Sequence, residues 1–296
     1  MNMLERITKV DKIKSHNLKF SIVIPTWNNL DYLKLVVSSI NTHSFFQHQI
    51  LIFVNEGIDG TMEWLATQEN IDYVHSKNNI GICCGLNICR SLVKTDYLMY
   101  ANDDMYFLPN WDVEIDKQIQ IIGHNRFMLS STMIEPFDTS NTCVVVRDYG
   151  DSIKNFDEQA LLNEYSSFTK EDWNGSTWPP NIIHIDLWDL VGGMSIEYSP
   201  GMYSDPDLSK KLWDVGVRYF KGVGSSMVYH FGSKSTKRVI KNSGRDTFFN
   251  KWGITASVFV NHFLKRGQLF KGALRNPRLS FNIKIRNKIK RVLKSL

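Results

Sequence analysis

An α/β fold with a mostly parallel sheet flanked by helices is what this 296-residue sequence predicts, and three observations predict it. Short runs rich in β-branched and aromatic residues alternate with stretches whose apolar residues recur at helical spacing. Polar or acidic segments follow directly on several of the strand-like runs. The composition, 43% hydrophobic and 22% charged, belongs to a chain that buries a core without covalent staples.

Phe20–Ile24, Ile50–Val54, Ile71–Val74 and Tyr97–Ala101 have the length and composition of strands. Between the first two, Leu33, Val36, Val37 and Ile40 recur at i, i+3, i+4, i+7; between the last two, Ile82, Leu86, Cys89 and Val93 form a second helical stripe. Alternation of this kind implies right-handed βαβ units. Residues 135–180 are irregular and polar, a long excursion carrying Trp173 and Trp178 beside Pro179-Pro180. Periodic structure returns at Ile182–Leu190, and Leu208–Trp213 before Gly216 predicts a short helix with its stop. Trp252, Phe259 and Phe263 predict another.

Ligands of open α/β sheets sit beyond the strand C-termini. Three segments therefore carry the chemistry of the first half: Pro25–Asn28, Asn55–Gly60 and Asn102-Asp103-Asp104. Adjacent carboxylates at a strand end are costly to bury unless a divalent cation shares their charge. Mg²⁺ or Mn²⁺ would bind there with substrate phosphates completing its shell. Lys77-Asn-Asn79-Ile-Gly81, then Gly85 and Asn87, offers a helix entry that a phosphate or ribose can approach closely. Later, Ser204-Asp205-Pro-Asp207 places two carboxylates before a helix, one of them a candidate general base, and His230 closes a strand-like run where its imidazole could complete a metal site.

These motifs, in this order, resemble the family 2 glycosyltransferases of GT-A fold, over about residues 18 to 250. The resemblance implies a Rossmann-like GT-A domain that moves a sugar from a UDP-, GDP- or dTDP-linked donor to an acceptor hydroxyl, with inversion and with Mn²⁺ or Mg²⁺ as cofactor. It implies donor contacts at Pro25, Thr26, Asn28, Asn55 and Glu56, metal ligation by Asp104 and His230, ribose contact at Asp103, and Asp205 as base. Lys77, Asn79, Gly81 and Asn87 join the donor set. Where relatives have Glu before the catalytic Asp this chain has Ser204, so Asp205 is expected to titrate near the ordinary aspartate value and to be ionised at neutral pH. Trp173, Trp178, Tyr203 and Asp207 are candidates for the acceptor, a glycan, lipid-linked glycan or protein. A non-catalytic nucleotide-sugar-binding relative is the alternative, with a sugar-phosphate nucleotidyltransferase behind it, since no Gly-rich, Arg-containing loop follows the first strand.

The expected organisation is an N-terminal extension (1–17), one GT-A domain (18–264, nucleotide-binding to 110 and acceptor and catalytic from 111) and a basic tail (265–296). From Lys265 onward there are 11 Lys or Arg and no acid, which leaves 24 of the 35 basic residues against all 30 acidic ones in the preceding chain. In the tail, Phe281, Ile285, Ile289, Val292, Leu293 and Leu296 recur at helical spacing, as in a helix that lies on an anionic membrane surface. Phe281 is the one aromatic of that helical stretch, and this together with the lack of a reading motif argues against nucleic acid. The four cysteines, three of them crowded into Cys83–Cys89, do not form a bridge pattern and suit a reducing cytoplasm. Neither a signal peptide nor a membrane span is expected.

Overall fold

The computed structural model describes residues 7–232 and 242–295, with side chains to residue 290. Eleven strands form one sheet: β1 (Ile7–Val10), β2 (Ser21–Trp27), β3 (Gln49–Asn55), β4 (Asp72–Ser76), β5 (Tyr97–Tyr100), β6 (Met105–Phe107), β7 (Phe127–Glu135), β8 (Val145–Val146), β9 (Trp173–Asn174), β10 (Asn181–His184) and β11 (Tyr219–His230). Their order is β1-β4-β3-β2-β5-β10-β7-β11-β6, with β8 on β7 and β9 on β11. The run β4-β3-β2-β5 is parallel. Beyond it β10 enters antiparallel, β7 and β11 run parallel to each other, and β6 closes the edge antiparallel.

Alternation along the central strands builds two cores. Ile22, Ile24, Ile50 and Ile52 pack with α1 (Leu30–His43), while Val23, Leu51 and Phe53 face the opposite layer. Each such fully buried side chain contributes roughly 1.5–3 kcal/mol. After α2 (Thr61–Thr67), α3 (Ile82–Cys89) lies on the second face, so close to Phe53 that a Cβ at Gly85 would sit 2.1 Å from its ring. The first face is completed by Trp111, Ile115 and Ile119 of α4 (Trp111–Ile122). The excursion carries α5 (Glu158–Glu164) and a satellite core in which Tyr149, Phe156 and Leu161 meet Tyr229 and Phe231. Then come α6 (Ile185–Val191), α7 (Ser204–Asp214), α8 (Gly244–Trp252), α9 (Ala256–Val258), a π-helical turn Phe259–Phe263, and α10 (Phe281–Ser295).

The structure redraws several expected boundaries. Ile182–Leu190 splits into a central strand and α6, because His184 caps a new helix by accepting from the Asp186 N–H. The stripe of α3 ends at Cys89, and Val93 lies beyond the 3₁₀ turn that follows. Ile7–Val10 of the extension pairs with β4 at the sheet edge, held by Asp72, which accepts from the Lys12 and Ile13 N–H groups; residues 1–6 lie outside the described residues. Residues 265–274 pack on the body, with Leu274 buried and its N–H bonded to the Arg218 carbonyl. Leu296 and the side chains of Val292 and Leu293 lie outside the described residues. Among the described residues no helix is long and apolar enough to cross a membrane.

Candidate active site

The strand ends open into a cleft of about 830 Å³. On one side stand Pro25 and Thr26 at the end of β2, and Asn102 and Asp103 after β5. The Thr26 hydroxyl donates to Asp103 Oδ2 at 2.7 Å, which fixes that carboxylate at the cleft floor. Asn55, at the end of β3, lines the cleft and accepts from the Ile80 N–H at 3.0 Å. The turn Asn79–Gly81 is thereby drawn against the sheet, closed by the Gly81 N–H on Asn79 Oδ1. Gly81 takes a left-handed φ of +77° and packs against Ser199 and Pro200, where any Cβ would be crowded at 3.1 Å. Its neighbour Ile82 donates to the Pro200 carbonyl, so the helix entry on one half holds the loop of the other.

That loop delivers Asp205. Tyr203, at φ +72°, turns the chain into α7, and Asp205 lies in the first turn with Tyr203, Ser204 and Pro206 lining the same cleft. Burial pushes the Asp205 carboxyl up to about 7. This corrects the expectation of an ordinary aspartate: loss of the acidic neighbour at Ser204 matters less than desolvation. Burial raises the pKa of the Tyr100 hydroxyl, and Asp205, Cys83, Asp104 and Asp103 add to it, so all three carboxylates lie within electrostatic reach of that group.

His230 ends β11 opposite Met105 of β6, which brings it alongside Asp104. Its Nε2 lies 3.5 Å from Asp104 Oδ1, and its Nδ1 is 2.9 Å from Glu135 Oε1 at the end of β7. All three side chains have little solvent contact. Burial would lower the imidazole pKa, but Asp104 and Glu135 override it and raise it to about 9. Among the described residues no group of three or more His, Cys, Asp or Glu side chains is arranged to hold a metal. The pair Asp104 and His230 nevertheless fits a Mg²⁺ or Mn²⁺ that takes few protein ligands and completes its shell with substrate phosphates. Among the described residues the buried His230 Nε2 has no hydrogen-bond partner and faces a carboxylate oxygen, while Glu135 holds the other ring nitrogen, as partners of metal-bound histidines do.

Several expected site residues stand elsewhere. Asp207 is fully buried and does not line the cleft: it accepts from Ser195 Oγ at 2.6 Å and Trp252 Nε1 at 2.8 Å, and pairs with Lys251 at 3.1 Å. Trp173 is buried over Gly222 and donates its indole N–H to Thr132, so it belongs to the core, because a Cβ-less strand neighbour leaves a slot its ring fills. Asn87 clamps Met194 through both its amide atoms. Glu56, at φ +62°, accepts from Trp27 Nε1 and Asn28 Nδ2, and Asn28 Oδ1 accepts from the Ile58 N–H. Asn28 and Glu56 thus brace the rim from outside the cleft lining, and Lys77 is exposed beyond it. Trp178 and Tyr203 do line the cleft. The sequence reading missed Glu135, Tyr100 and Arg266; only Tyr100, in the strand leading to the acidic pair, left a local signal.

Residues 21–120 match the family model for glycosyl transferase family 2. No curated protein sequence matches the chain. Among solved structures, S. aureus TarS 1–349 in complex with UDP-GlcNAc is 13% identical with a TM-score of 0.52, over 73% of this chain and 61% of that one. GalNAc-T7 with UDP, GalNAc and Mn²⁺ is 12% identical with a TM-score of 0.57, over 87% of this chain and 52% of that one. The chain thus spans between half and two thirds of these proteins. The shared architecture is the GT-A fold.

Proposed function

From a chain with the GT-A fold whose residues 21–120 carry the sequence of a family 2 glycosyltransferase, we propose an enzyme that transfers a sugar from a nucleotide-diphosphate donor to an acceptor hydroxyl with inversion. The observation that carries the reading is a single cleft in which Asp103 and His230 meet Asp205, a carboxyl held near pH 7 by burial. Structures of TarS and GalNAc-T7 contain UDP, which favours a uridine donor here.

Pro25, Thr26, Asn55 and the Asn79–Gly81 turn would seat the nucleotide, with Asp103, oriented by Thr26, beside the ribose. Asp104 and His230 would hold a divalent cation, which when bound neutralises the departing diphosphate. Asp205 then takes the proton of the acceptor hydroxyl as its oxygen attacks the anomeric carbon from the face opposite the diphosphate. A base with its pKa near the working pH suits that task, combining an ionised population with real proton affinity. Calorimetry with UDP and Mn²⁺, followed by UDP-sugar turnover, tests the proposal. Metal-dependent UDP binding with slow UDP-GlcNAc or UDP-GalNAc hydrolysis is expected; absence of nucleotide binding for UDP, GDP and dTDP alike would end it.

We also infer that the tail meets an anionic membrane surface. Phe281, Ile285 and Ile289 form an exposed i, i+4, i+8 stripe on α10 among Lys284, Arg286, Lys288 and Lys290, while Asn287 on the other side is buried. An anionic bilayer complements both features. Replacing the three apolar residues by Ser in the full chain should reduce co-sedimentation with phosphatidylserine vesicles; equal partitioning would assign the stripe to another role.

A further inference from the structure

Arg266 is the one Lys or Arg among the described residues that line the cleft. Its guanidinium lies 4.3 Å from the ring centre of Trp178, and both side chains are half-buried. Among the described residues its side chain makes no hydrogen bond and no ion pair, although five N–H donors are available to it. The backbone beneath it is pinned. The Arg266 N–H donates to the Val260 carbonyl, the Gly267 N–H to the Asn174 carbonyl and the Gln268 N–H to the Lys265 carbonyl. Its Cα also rests on Gly175, where a Cβ would come within 2.7 Å. The side chain is thus held in the cleft wall by Trp178 and a pinned backbone, with N–H donors that no described residue engages and that a ligand anion can take.

The charge around Arg266 points the same way. Burial lowers its pKa, and the one ionisable group that bears on it is the Cys143 thiol, itself pushed up to about 11 and so neutral. No carboxylate of the acidic floor contributes. Lys170 is a second cation acting on the same thiol. The cleft lining holds three carboxylates, Asp103, Glu135 and Asp205, none of which bears on the guanidinium of Arg266. Stacking on Trp178 occupies the guanidinium face and leaves its N–H edge for an oxyanion.

Resting on the transferase reading, we propose that Arg266, fixed by Trp178, is the specificity-determining residue for a negatively charged group on the acceptor, a phosphate or a carboxylate. The donor's diphosphate is the competing anion, and the test separates the two. Affinities for glucose 6-phosphate, glucuronate and methyl glucoside would be measured by calorimetry with and without UDP and Mn²⁺, on the wild type, Arg266→Met and Arg266→Lys. The wild type should prefer at least one anionic probe over methyl glucoside by about tenfold, the scale of a charged hydrogen bond. Arg266→Met should lose that preference and Arg266→Lys keep part of it, with UDP affinity within about twofold of wild type in both. A wild type without anion preference, a preference that survives in Arg266→Met, or a parallel loss of UDP affinity in Arg266→Met would overturn the proposal. Should Arg266→Met fail to fold, a reduced preference in Arg266→Lys with unchanged UDP affinity still supports it, and an undiminished preference in Arg266→Lys overturns it. Failure of the transferase reading would show separately, as a wild type that binds no nucleotide while the probe preference without UDP still reports on Arg266.

Discussion

The two sides of the cleft are assembled by different means. The donor side comes from strand ends of the parallel ladder: Pro25 and Thr26 close β2, Asn55 closes β3, and Asn102 and Asp103 follow β5. The other side gathers Glu135, Trp178, Tyr203, Asp205, His230 and Arg266 from a strand end, the excursion, a helix entry, a second strand end and the strap before the tail. A repeated βαβ unit positions the first set almost by itself. The second depends on long-range contacts such as the Ile82 N–H on the Pro200 carbonyl and the Gly267 N–H on the Asn174 carbonyl. The proposed donor contacts thus rest on local order, whereas the proposed base, His230 and the acceptor contacts depend on tertiary closure.

The sharpest way to break this comparison is at Asp205. Asp205→Asn should lower the transfer rate by about 10² to 10⁴ while leaving UDP affinity nearly unchanged, because the amide removes only the base. The wild-type kcat/KM should rise with pH through about 7 as Asp205 loses its proton, and this rise should be missing from the residual activity of the variant. A rate within about tenfold of wild type would remove Asp205 from the chemistry.

A smaller effect should follow on the acidic floor. Asp104→Asn should abolish the Mn²⁺ dependence of UDP binding, and Glu135→Gln, which frees His230 Nδ1 from its carboxylate, should weaken Mn²⁺-dependent binding by about 10- to 100-fold, as loss of a ligand's hydrogen-bond partner does. Titration of Mn²⁺ at fixed UDP reads both. Unchanged metal dependence in Asp104→Asn would move the cation elsewhere.

Legibility in the sequence followed the same division. That Thr26, Asp103, Asp104 and His230 stand at or just beyond strand ends and Asp205 at a helix start is readable from local order. The raised pKa of Asp205 is not, since its desolvation arises only from the packing of distant segments around the cleft. Trp173 and Trp178 are five residues apart and chemically alike, yet one fills the slot above Gly222 and the other faces the cleft. Asp207 and Asn87 looked functional because polar residues near a motif resemble ligands; each instead satisfies buried partners from distant segments. Arg266 was counted with the basic tail, and only its seat on Gly175 and Trp178 separates it from the exposed lysines that follow.

Asp205 and Asp207, two residues apart on α7, sharpen the comparison through stability. Asp207→Ala should destabilise the fold by about 2–4 kcal/mol, since it leaves Ser195, Trp252 and Lys251 without their common acceptor. Asp205→Asn should act in the opposite direction and by less. In the folded chain Asp205 keeps its proton to about pH 7, whereas unfolded it ionises near the ordinary 3.8. Between those values the folded state binds more protons than the unfolded one, so this group's contribution to stability declines as pH rises through that window. The amide has no charge to bury. Thermal unfolding of wild type and Asp205→Asn should therefore nearly coincide at pH 4 and diverge by pH 8, where the variant should melt about 2–4 °C higher for each kcal/mol of relief. A variant that melts below wild type at pH 8 would mean that the Asp205 carboxylate is held by favourable contacts and is no desolvated base, and the donor and acceptor sides would then share one design.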